Sequence, residues 1–435
     1  MSSSGCSRSE WLLLWAALLC STGLWIYIER VVIPQQVFDA EARGFPRGNL
    51  SDLYPRWIGA KELLQHKRDP YTEEVSREIQ AGYYGRPLDP ALPNDPRDEQ
   101  GFAYPVYVVL YLAPVIGLPF GVVQRSFFWL LVIVTGLSVP LWLRILGWRV
   151  SWRIQISFVV LTLGSLAVVQ GLKLQQISLL VAGFVAVAIG SLVTGRPVAA
   201  GVVLALATIK PQLVLLIIIW LCIWTLAEWR HRYRWVISFL ATLSVLCVSS
   251  ELLLPHWISR FWTAVKEYQR YTGNKSVIEN SVGAPWSWAL ELLAIGALLW
   301  ACWHERREDI GSESFLLVVS MVLATTVLLV PTSAQYNQIL LIPAILVLTR
   351  ERQQIWRGGV VNRVLFSVTL GLIVWPWLSA LILGGLSFVA SQATLKRGWV
   401  APIWTSPQIP LGVTAMIFMN YIQKTFGRSR EASTS

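Results

Sequence analysis

The sequence has little of what a metal centre or a nucleotide site requires. Its five cysteines are scattered, mostly in apolar runs, without Cys-x-x-Cys spacing, and are predicted to be small hydrophobic residues of a core. The four histidines are isolated, and no His-Glu-x-x-His, G-x-G-x-x-G or Walker A pattern occurs. An acidic turn around Asp95 and Asp98 is interpreted as solvated rather than as a cation site. The sequence therefore predicts no metal, no cofactor and no direct use of a nucleotide.

Charge is also scarce, because only 14% of the 435 residues are charged and 54% are hydrophobic. Repeated apolar runs separated by short charged spacers predict an all-α, polytopic membrane protein with a single transmembrane domain over residues 1–435. The formal charge of +11 lies mostly in those spacers, where Arg and Lys set orientation in the bilayer. No basic stripe or stacking platform appears, so nucleic acid is not expected as a partner.

One polar stretch stands out, the loop over residues 33–103. It follows a first apolar run, residues 11–32, which is interpreted as an uncleaved signal-anchor with the N-terminus in the cytoplasm. The loop holds 12 of the 25 carboxylates of the chain. Helices are predicted from Ser51 or Asp52 onward and around residues 73–80, and the Pro-rich stretch 87–96 is predicted to be irregular. We expect the chemistry in this loop.

Residues 105–120 pose the main topological question, because this apolar stretch is short and contains three prolines. Either it crosses the membrane and 197–227 forms one long helix, or it lies flat as a juxtamembrane helix. The flat alternative extends the first outer loop to residues 33–121 and gives about twelve crossings. They are 11–32, 122–146, 154–170, 176–193, 197–210, 212–227, 235–254, 286–303, 314–330, 336–349, 364–385 and 406–422.

The flat alternative is preferred because it places every short Arg-rich spacer, and both termini, on the cytoplasmic side. It also brings a second loop, 255–285, and several polar interruptions to the outer side. Two predicted crossings, 197–210 and 336–349, are shorter than the ~20 residues that span hydrocarbon. We expect the polar ends of such short helices to line a cavity.

Asp52 is the first candidate for a general base. Aromatic neighbours and the membrane surface would partly desolvate its carboxylate and raise its pKa. The alternative is that Ser51 or Asp52 caps the helix that follows, which has Pro55 in its first turn. The two roles can coexist.

Cationic candidates lie at the outer ends of apolar helices. Lys173 and Lys210 suit the phosphate of a lipid, because a buried lysine needs an anionic partner. Snorkelling to the interface is the alternative for Lys173. Arg270 and Lys275 in the second outer loop could reach the same anion, although loops of this kind are commonly solvated. Tyr336 and Asn337 could hydrogen-bond sugar hydroxyls or satisfy each other between helices.

The order and spacing of several short motifs resemble a known family. The motifs are Asp52-Leu-Tyr54, Asp69-Pro-Tyr71, Tyr104-Pro105, Gln175-Gln176, and Ala200-Gly201 nine residues before Lys210-Pro211. The chain resembles the GT-C superfamily of membrane glycosyltransferases, specifically glycosyltransferase family 87, whose members are polyprenyl-phosphate-mannose-dependent α-mannosyltransferases. The resemblance covers roughly residues 10–350.

The resemblance implies a polyprenyl-phosphate sugar donor, an extracytoplasmic active site, a juxtamembrane helix after the first loop, and inversion at the anomeric carbon. It implies that Asp52 is the family's catalytic aspartate and that Lys210 is the family's lysine before proline. The matching motif positions Gln175, Tyr54 and Tyr104 are expected to bind substrate. Many relatives carry histidines where this chain has Tyr336 and Asn337, so a histidine-assisted step is not carried over.

The resulting hypothesis is an inverting hexosyltransferase of the plasma (inner) membrane, acting in the cell envelope. Its sugar, by resemblance mannose, would go to the hydroxyl of a glycan or glycolipid acceptor. A lipid-linked-sugar flippase is the first alternative, but such a protein would carry charged residues near the midplane and inverted repeats. An O-antigen ligase or polymerase-type enzyme is the second, but its large outer loops usually come late in the chain.

Overall fold

The computed structural model describes residues 8–42, 51–89, 91–273, 275–331 and 333–434, with side chains described as far as Thr425. These residues form helices joined by turns and irregular segments, and no strand occurs within them. The all-α prediction is confirmed.

The helices are numbered in chain order. The first part contains α1 (Arg8–Tyr27), a π-helical turn (Ile28–Val32), α2 (Ile33–Glu41), α3 (Leu53–His66), α4 (Glu73–Tyr84), α5 (Val108–Leu112) and α6 (Phe120–Ile145). The middle part contains α7 (Trp152–Leu163), α8 (Leu166–Lys173), α9 (Ile177–Val193), α10 (Pro197–Ala207), α11 (Pro211–Ala227), α12 (Trp229–Arg232) and α13 (Arg234–Leu253). The last part contains α14 (Trp257–Thr272), α15 (Val277–Val282), α16 (Trp286–His304), α17 (Glu313–Leu329), α18 (Ile342–Arg350), α19 (Arg352–Arg357), α20 (Val360–Leu386), α21 (Gln392–Lys396) and α22 (Ile409–Thr434). Short 3₁₀ helices occupy Ala113–Val115, Gln335–Leu341, Ala401–Ile403 and Ser406–Gln408.

Five helices of the described chain are long and apolar enough to cross a membrane. They are the continuous helix Arg8–Glu41, α6, α13, α16 and α20. The pair α7 and α8 would make a sixth span, although the two helices bend by 57° at their junction. The chain is therefore an integral membrane protein by the length and composition of its helices, and the predicted twelve crossings are not confirmed.

Four of the remaining predicted crossings correspond to shorter apolar helices. The other two, 336–349 and 406–422, correspond to the 3₁₀ helix Gln335–Leu341 with α18 and to α22. Helices α9, α10, α11 and α17 are apolar but have only 11 to 17 residues. Most residues of α17 are buried, and it packs against α11 and α22. By contrast, most residues of the five long helices are not buried, as expected for helices that face lipid. A helix that is apolar all round is stable when other helices surround it.

The structure distinguishes the two alternatives for residues 105–120. This stretch contains only α5 and the 3₁₀ helix Ala113–Val115, so no helix of bilayer length forms there. The rival layout needed one long helix over 197–227, but α10 ends at Ala207 and α11 begins at Pro211. Proline is favoured in the first turn of a helix, which explains why a new helix starts there. Both features agree with the flat alternative.

The first polar loop is folded against the bundle. Helices α3 and α4 begin close to the predicted positions, and 87–96 has no regular structure in its described residues, Pro90 being outside them. Leu53 and Ile79 are fully buried and belong to the main hydrophobic core. A Cβ on Gly59 would lie 2.3 Å from the ring of Phe102, so α3 packs closely on the end of the loop. This packing fixes the position of the residues before α3.

Candidate active site

A cavity of about 380 Å³ lies where five segments of the chain meet. They are the start of α3, the turn between α8 and α9, the break between α10 and α11, helix α14, and the 3₁₀ helix Gln335–Leu341. The segment 98–105 completes its wall. Residues more than 280 positions apart in sequence therefore contact one space.

Asp52 lines this cavity and does not cap α3. Its side chain makes no capping hydrogen bond, whereas the hydroxyl of Ser51 accepts a hydrogen bond from the backbone N–H of Leu53 at 3.3 Å. The carboxylate of Asp52 instead accepts a hydrogen bond from the side-chain amide of Gln176. Burial raises the pKa of Asp52 above its usual value, although Arg56, Lys210 and Gln176 act in the opposite direction. A carboxylate with a raised pKa suits general-base chemistry.

The turn between α8 and α9 holds Asp52 by two contacts. The backbone N–H of Asp52 donates to the carbonyl of Leu174 at 3.1 Å, and Gln176 contacts the carboxylate. Gln175, the neighbour selected from sequence, points elsewhere: its amide donates to the carbonyls of Leu172 and Lys173 at 2.6 and 3.1 Å. Gln175 has a positive φ of 45°, which reverses the chain there. The structure thus places Gln176, and not Gln175, in the cavity wall.

Arg56 is a cavity residue that the sequence analysis missed. It lies one helical turn after Asp52 and is only 3% exposed. Its guanidinium donates to the backbone carbonyl of Asp52 and to the hydroxyl of Tyr104, and Cζ lies 4.0 Å from the centre of the Tyr104 ring. Tyr104, one of the sequence candidates, also lines the cavity. The only feature of the sequence that could have indicated this role is the position of Arg56, four residues after the candidate base.

Lys210 is buried in the cavity wall, immediately before α11. Its Nζ donates to the hydroxyl of Ser178 at 2.6 Å and to Oδ1 of Asn337 at 3.5 Å, and it lies 4.8 Å from the centre of the Tyr336 ring. Tyr336 and Asn337 therefore join Lys210 in one cluster, as the sequence analysis proposed for that face. Burial first, and then repulsion from Arg56, lowers the pKa of Lys210 to about 7, while Asp52 opposes this shift.

Helix α14 supplies an aromatic wall that the sequence analysis did not predict. Phe261, Val265 and Tyr268 recur at helical spacing and line the cavity together with Trp262 and Tyr271. That spacing is visible in the sequence and could have identified this face. Asp98 lies exposed at the rim, where its carboxylate accepts two hydrogen bonds from Gln100.

Several predicted site residues lie outside the cavity lining. Lys173 forms an ion pair with Glu29 and lies 5.3 Å from the ring centre of Trp25. Tyr54 packs edge-on against Phe120 with ring centres 5.0 Å apart. Arg270 is exposed on α14 and is not among the lining residues, and neither is Lys275. The structure brings together Asp52, Lys210, Tyr104, Tyr336 and Asn337 but not Lys173, Gln175, Tyr54 or Arg270.

Within the described ranges, no group of three or more His, Cys, Asp or Glu residues has a geometry that could hold a metal ion. The charged groups in the cavity wall are one partly buried carboxylate, two buried cations and the rim carboxylate of Asp98. Such an arrangement can accept a proton at Asp52 and bind an anion beside the cations.

The helical bundle with membrane-length spans and the cavity that combines a carboxylate with buried cations define a polytopic membrane protein with an enzyme-like site. A family model, glycosyltransferase family 87, matches residues 102–332, which are 231 of the 435 residues. The chain belongs to glycosyltransferase family 87, as the sequence resemblance indicated, and is therefore a glycosyltransferase. Comparisons with curated proteins and with solved structures give no match. The matched region contains Lys210 and Tyr104 but not Asp52, Tyr336 or Asn337.

Proposed function

We propose that the protein is an inverting hexosyltransferase that moves a sugar, mannose, from a polyprenyl-phosphate donor to a hydroxyl of a glycan or glycolipid acceptor. One observation carries this proposal: Asp52 and Lys210, 158 positions apart, line the same cavity, and their pKa values are displaced towards each other. A base and an anion-binding cation are the two groups that a phosphate-releasing transfer needs. Membership of the family supplies the class of reaction.

In the proposed step the acceptor oxygen attacks the anomeric carbon of the donor from the face opposite the phosphate. The new carbon–oxygen bond forms as the bond between the anomeric carbon and the phosphate oxygen breaks, which inverts the configuration. Asp52 takes the hydroxyl proton, and the lipid phosphate keeps the bonding electron pair. General-base help of this kind is worth about 10²–10⁴ in rate.

Lys210 stabilises the leaving phosphate. It lies in a largely buried cavity wall, where a preorganised charge acts more strongly than in water. Its hydrogen bonds to Ser178 and Asn337 hold the ammonium in position. Tyr336, Asn337 and Tyr104 present polar atoms to the same space and are proposed to hydrogen-bond the sugar hydroxyls. The aromatic wall of α14 offers apolar faces on which a sugar ring can stack.

We further propose that the cavity opens on the extracytoplasmic side of the plasma (inner) membrane, with both termini in the cytoplasm. The support is the positive-inside rule: Arg-rich spacers such as those at Arg149, Arg196 and Arg306 would then lie inside. Residues 33–121 and 255–285 would form the two outer loops of one transmembrane domain. Single cysteines placed beside Arg149 and Arg196 should react only with a permeant reagent, and one beside Lys210 with an impermeant one. The reverse pattern contradicts this orientation.

The reaction is tested with purified protein and a panel of polyprenyl-phosphate sugars. Each donor is incubated with glycolipid extract, and labelled product and released polyprenyl phosphate are both quantified. We expect equal amounts of the two from the mannose donor. Movement of a lipid-linked sugar across vesicles without release of polyprenyl phosphate would instead establish a flippase.

A further inference from the structure

Arg56 is a buried cation that makes no ion-pair contact with a carboxylate of the described chain. It is 3% exposed, and in the described part of the chain no Asp or Glu oxygen lies within 4.0 Å of its guanidinium nitrogens. Its hydrogen bonds go to a neutral carbonyl and a neutral hydroxyl, and its Nε has no partner among the described residues. A buried charge is expensive unless an opposite charge accompanies it. Asp52 acts electrostatically on both Arg56 and Lys210, so one of the two positive charges has no counterpart among these three groups. The location of Arg56 in the cavity wall indicates that a ligand supplies that counterpart.

A second cation of the same kind lies nearby. Lys210 is 5% exposed and likewise has no carboxylate oxygen within 4.0 Å among the described residues. The two positive groups repel each other, and this repulsion is one cause of the lowered pKa of Lys210. An anion bound between them would remove the repulsion and restore the protonated lysine. Both cations would then be paired.

We propose that Arg56 is a second anion-binding residue and that, together with Lys210, it binds the phosphate of the lipid donor and of the lipid product. This inference rests on the proposed function, which it deepens by assigning a role to a residue outside the sequence candidates. Arg56 contacts the backbone carbonyl of Asp52, so the same guanidinium connects the phosphate position to the base.

The buried charges balance for a phosphodiester donor. With Asp52 ionised, Arg56, Lys210 and Asp52 sum to one positive charge, and a phosphodiester carries one negative charge. After transfer Asp52 is protonated and the released phosphate monoester carries two negative charges, which again balance the two cations. With Arg56 absent, one buried negative charge would remain uncompensated both before and after transfer. Arg56 therefore balances the charge of the occupied site in both states, and beside the phosphate it can stabilise the negative charge that develops on the leaving oxygen.

The test compares two probes, a short-chain prenyl phosphate and the neutral prenol of the same chain length. Their affinities are measured at neutral pH by competition with the donor, and the ratio of the two affinities reports the contribution of charge. A hydrogen bond to a charged group contributes about 1.5–3 kcal/mol, which corresponds to about 10- to 150-fold in affinity. We expect Arg56→Gln to reduce the ratio by that factor and Arg56→Lys to keep most of it. Arg260→Gln, which removes a cation paired with Asp69 outside the cavity lining, is the matched control and should leave the ratio unchanged.

An unchanged ratio in folded Arg56→Gln overturns the proposal. If Arg56→Gln does not fold, the same affinity ratio is measured for Lys210→Met, because Arg56 is then the buried cation that remains in the cavity wall. That variant should still prefer the prenyl phosphate about tenfold, and complete loss of the preference overturns the role of Arg56. Wild-type protein that releases no polyprenyl phosphate from any donor would reject the proposed function itself. Transfer by wild type with an unaltered ratio in Arg56→Gln would reject Arg56 alone.

Discussion

The side-chain amide of Gln176 donates a hydrogen bond to the carboxylate of Asp52, which lies 124 positions earlier in the chain. This contact joins the polar loop before α3 to the turn before α9, and the backbone bond from Asp52 to Leu174 reinforces it. The hydrogen bond favours the ionised form of Asp52 while burial opposes it. Gln176 therefore lowers the pKa of the proposed base relative to the value that burial alone would give.

Replacing Gln176 should change the pH dependence of the enzyme. In Gln176→Leu the ionised form of Asp52 loses a hydrogen bond, so its pKa rises further and the acid limb of kcat/KM moves to higher pH. A bond worth about 1.5 kcal/mol corresponds to a shift of about one pH unit. Gln175→Leu is the matched control, because Gln175 bonds backbone carbonyls outside the cavity lining. Identical acid limbs in both variants would show that Gln176 does not act on the base.

The two lysines selected from sequence should behave differently when replaced. Lys210→Met removes the buried ammonium beside the leaving phosphate, and we expect kcat/KM to fall about 10²–10³-fold. Lys173→Met removes an ion pair with Glu29 that is partly exposed and worth at most about 1 kcal/mol of stability. Its donor KM should stay within about twofold of wild type. The measurement is kcat/KM and KM for the donor with both purified variants. Equal losses of kcat/KM in the two variants would contradict the role of Lys210 in the cavity.

The pH profile of kcat/KM should be bell-shaped. Asp52 must be ionised to accept a proton, so activity falls as the pH drops through its pKa, which burial raises. Lys210 must be protonated to bind the phosphate, so activity falls as the pH rises through its pKa of about 7. The bound donor supplies an anion that raises the pKa of Lys210, and the alkaline limb of kcat should therefore lie at higher pH than that of kcat/KM. Asp98 also lines the cavity, and the pH profile of Asp98→Asn separates any contribution of its carboxyl group from that of Asp52.

Gly201 sets the closest approach between α10 and α13. A Cβ there would lie 2.1 Å from the backbone carbonyl oxygen of Trp235, and backbone cannot move aside as a flexible side chain can. Gly201→Ala should therefore lower the stability by about 1–3 kcal/mol, seen as a lower Tm in detergent. Gly371→Ala in α20 is the control, since a Cβ there meets nothing within 4 Å. A Tm equal to that of the control would contradict the close packing.

Sequence reasoning selected Asp52 and Lys210, which line the cavity, but it did not select Gln176 and Arg56, which also line it. Asp52 and Lys210 were identifiable because a carboxylate beside aromatic residues and a lysine before a helix-starting proline are unusual in an apolar chain. The choice of Gln175 over Gln176 failed because the reversal at Gln175 depends on a backbone φ that the sequence does not reveal. Arg56 was overlooked because its burial results from packing on Tyr104, 48 residues away.

The helix pattern shows a similar limit. Apolar runs located nearly every helix, including α13 and α16, but could not tell a span that faces lipid from a shorter helix enclosed by others. Helix α17 is apolar on all sides because the bundle surrounds it, and its 17 residues are at the lower end of the lengths that span a bilayer. Hydropathy alone counts both kinds as crossings. The aromatic wall of α14 was not predicted, because apolar and charged residues are mixed along this helix. The helical spacing of its aromatic residues was nevertheless visible in the sequence.

The most direct measurement of the central claim is sugar transfer by Asp52→Asn in membranes, from the polyprenyl-phosphate donor that wild type uses. The amide keeps the shape of the side chain but cannot accept the proton, so we expect kcat to fall about 10²–10⁴-fold while the donor KM changes little. Asp98→Asn, which removes a carboxylate from the rim of the same cavity, should lose less than about tenfold. Near-normal transfer by Asp52→Asn would contradict the assignment of Asp52 as the base.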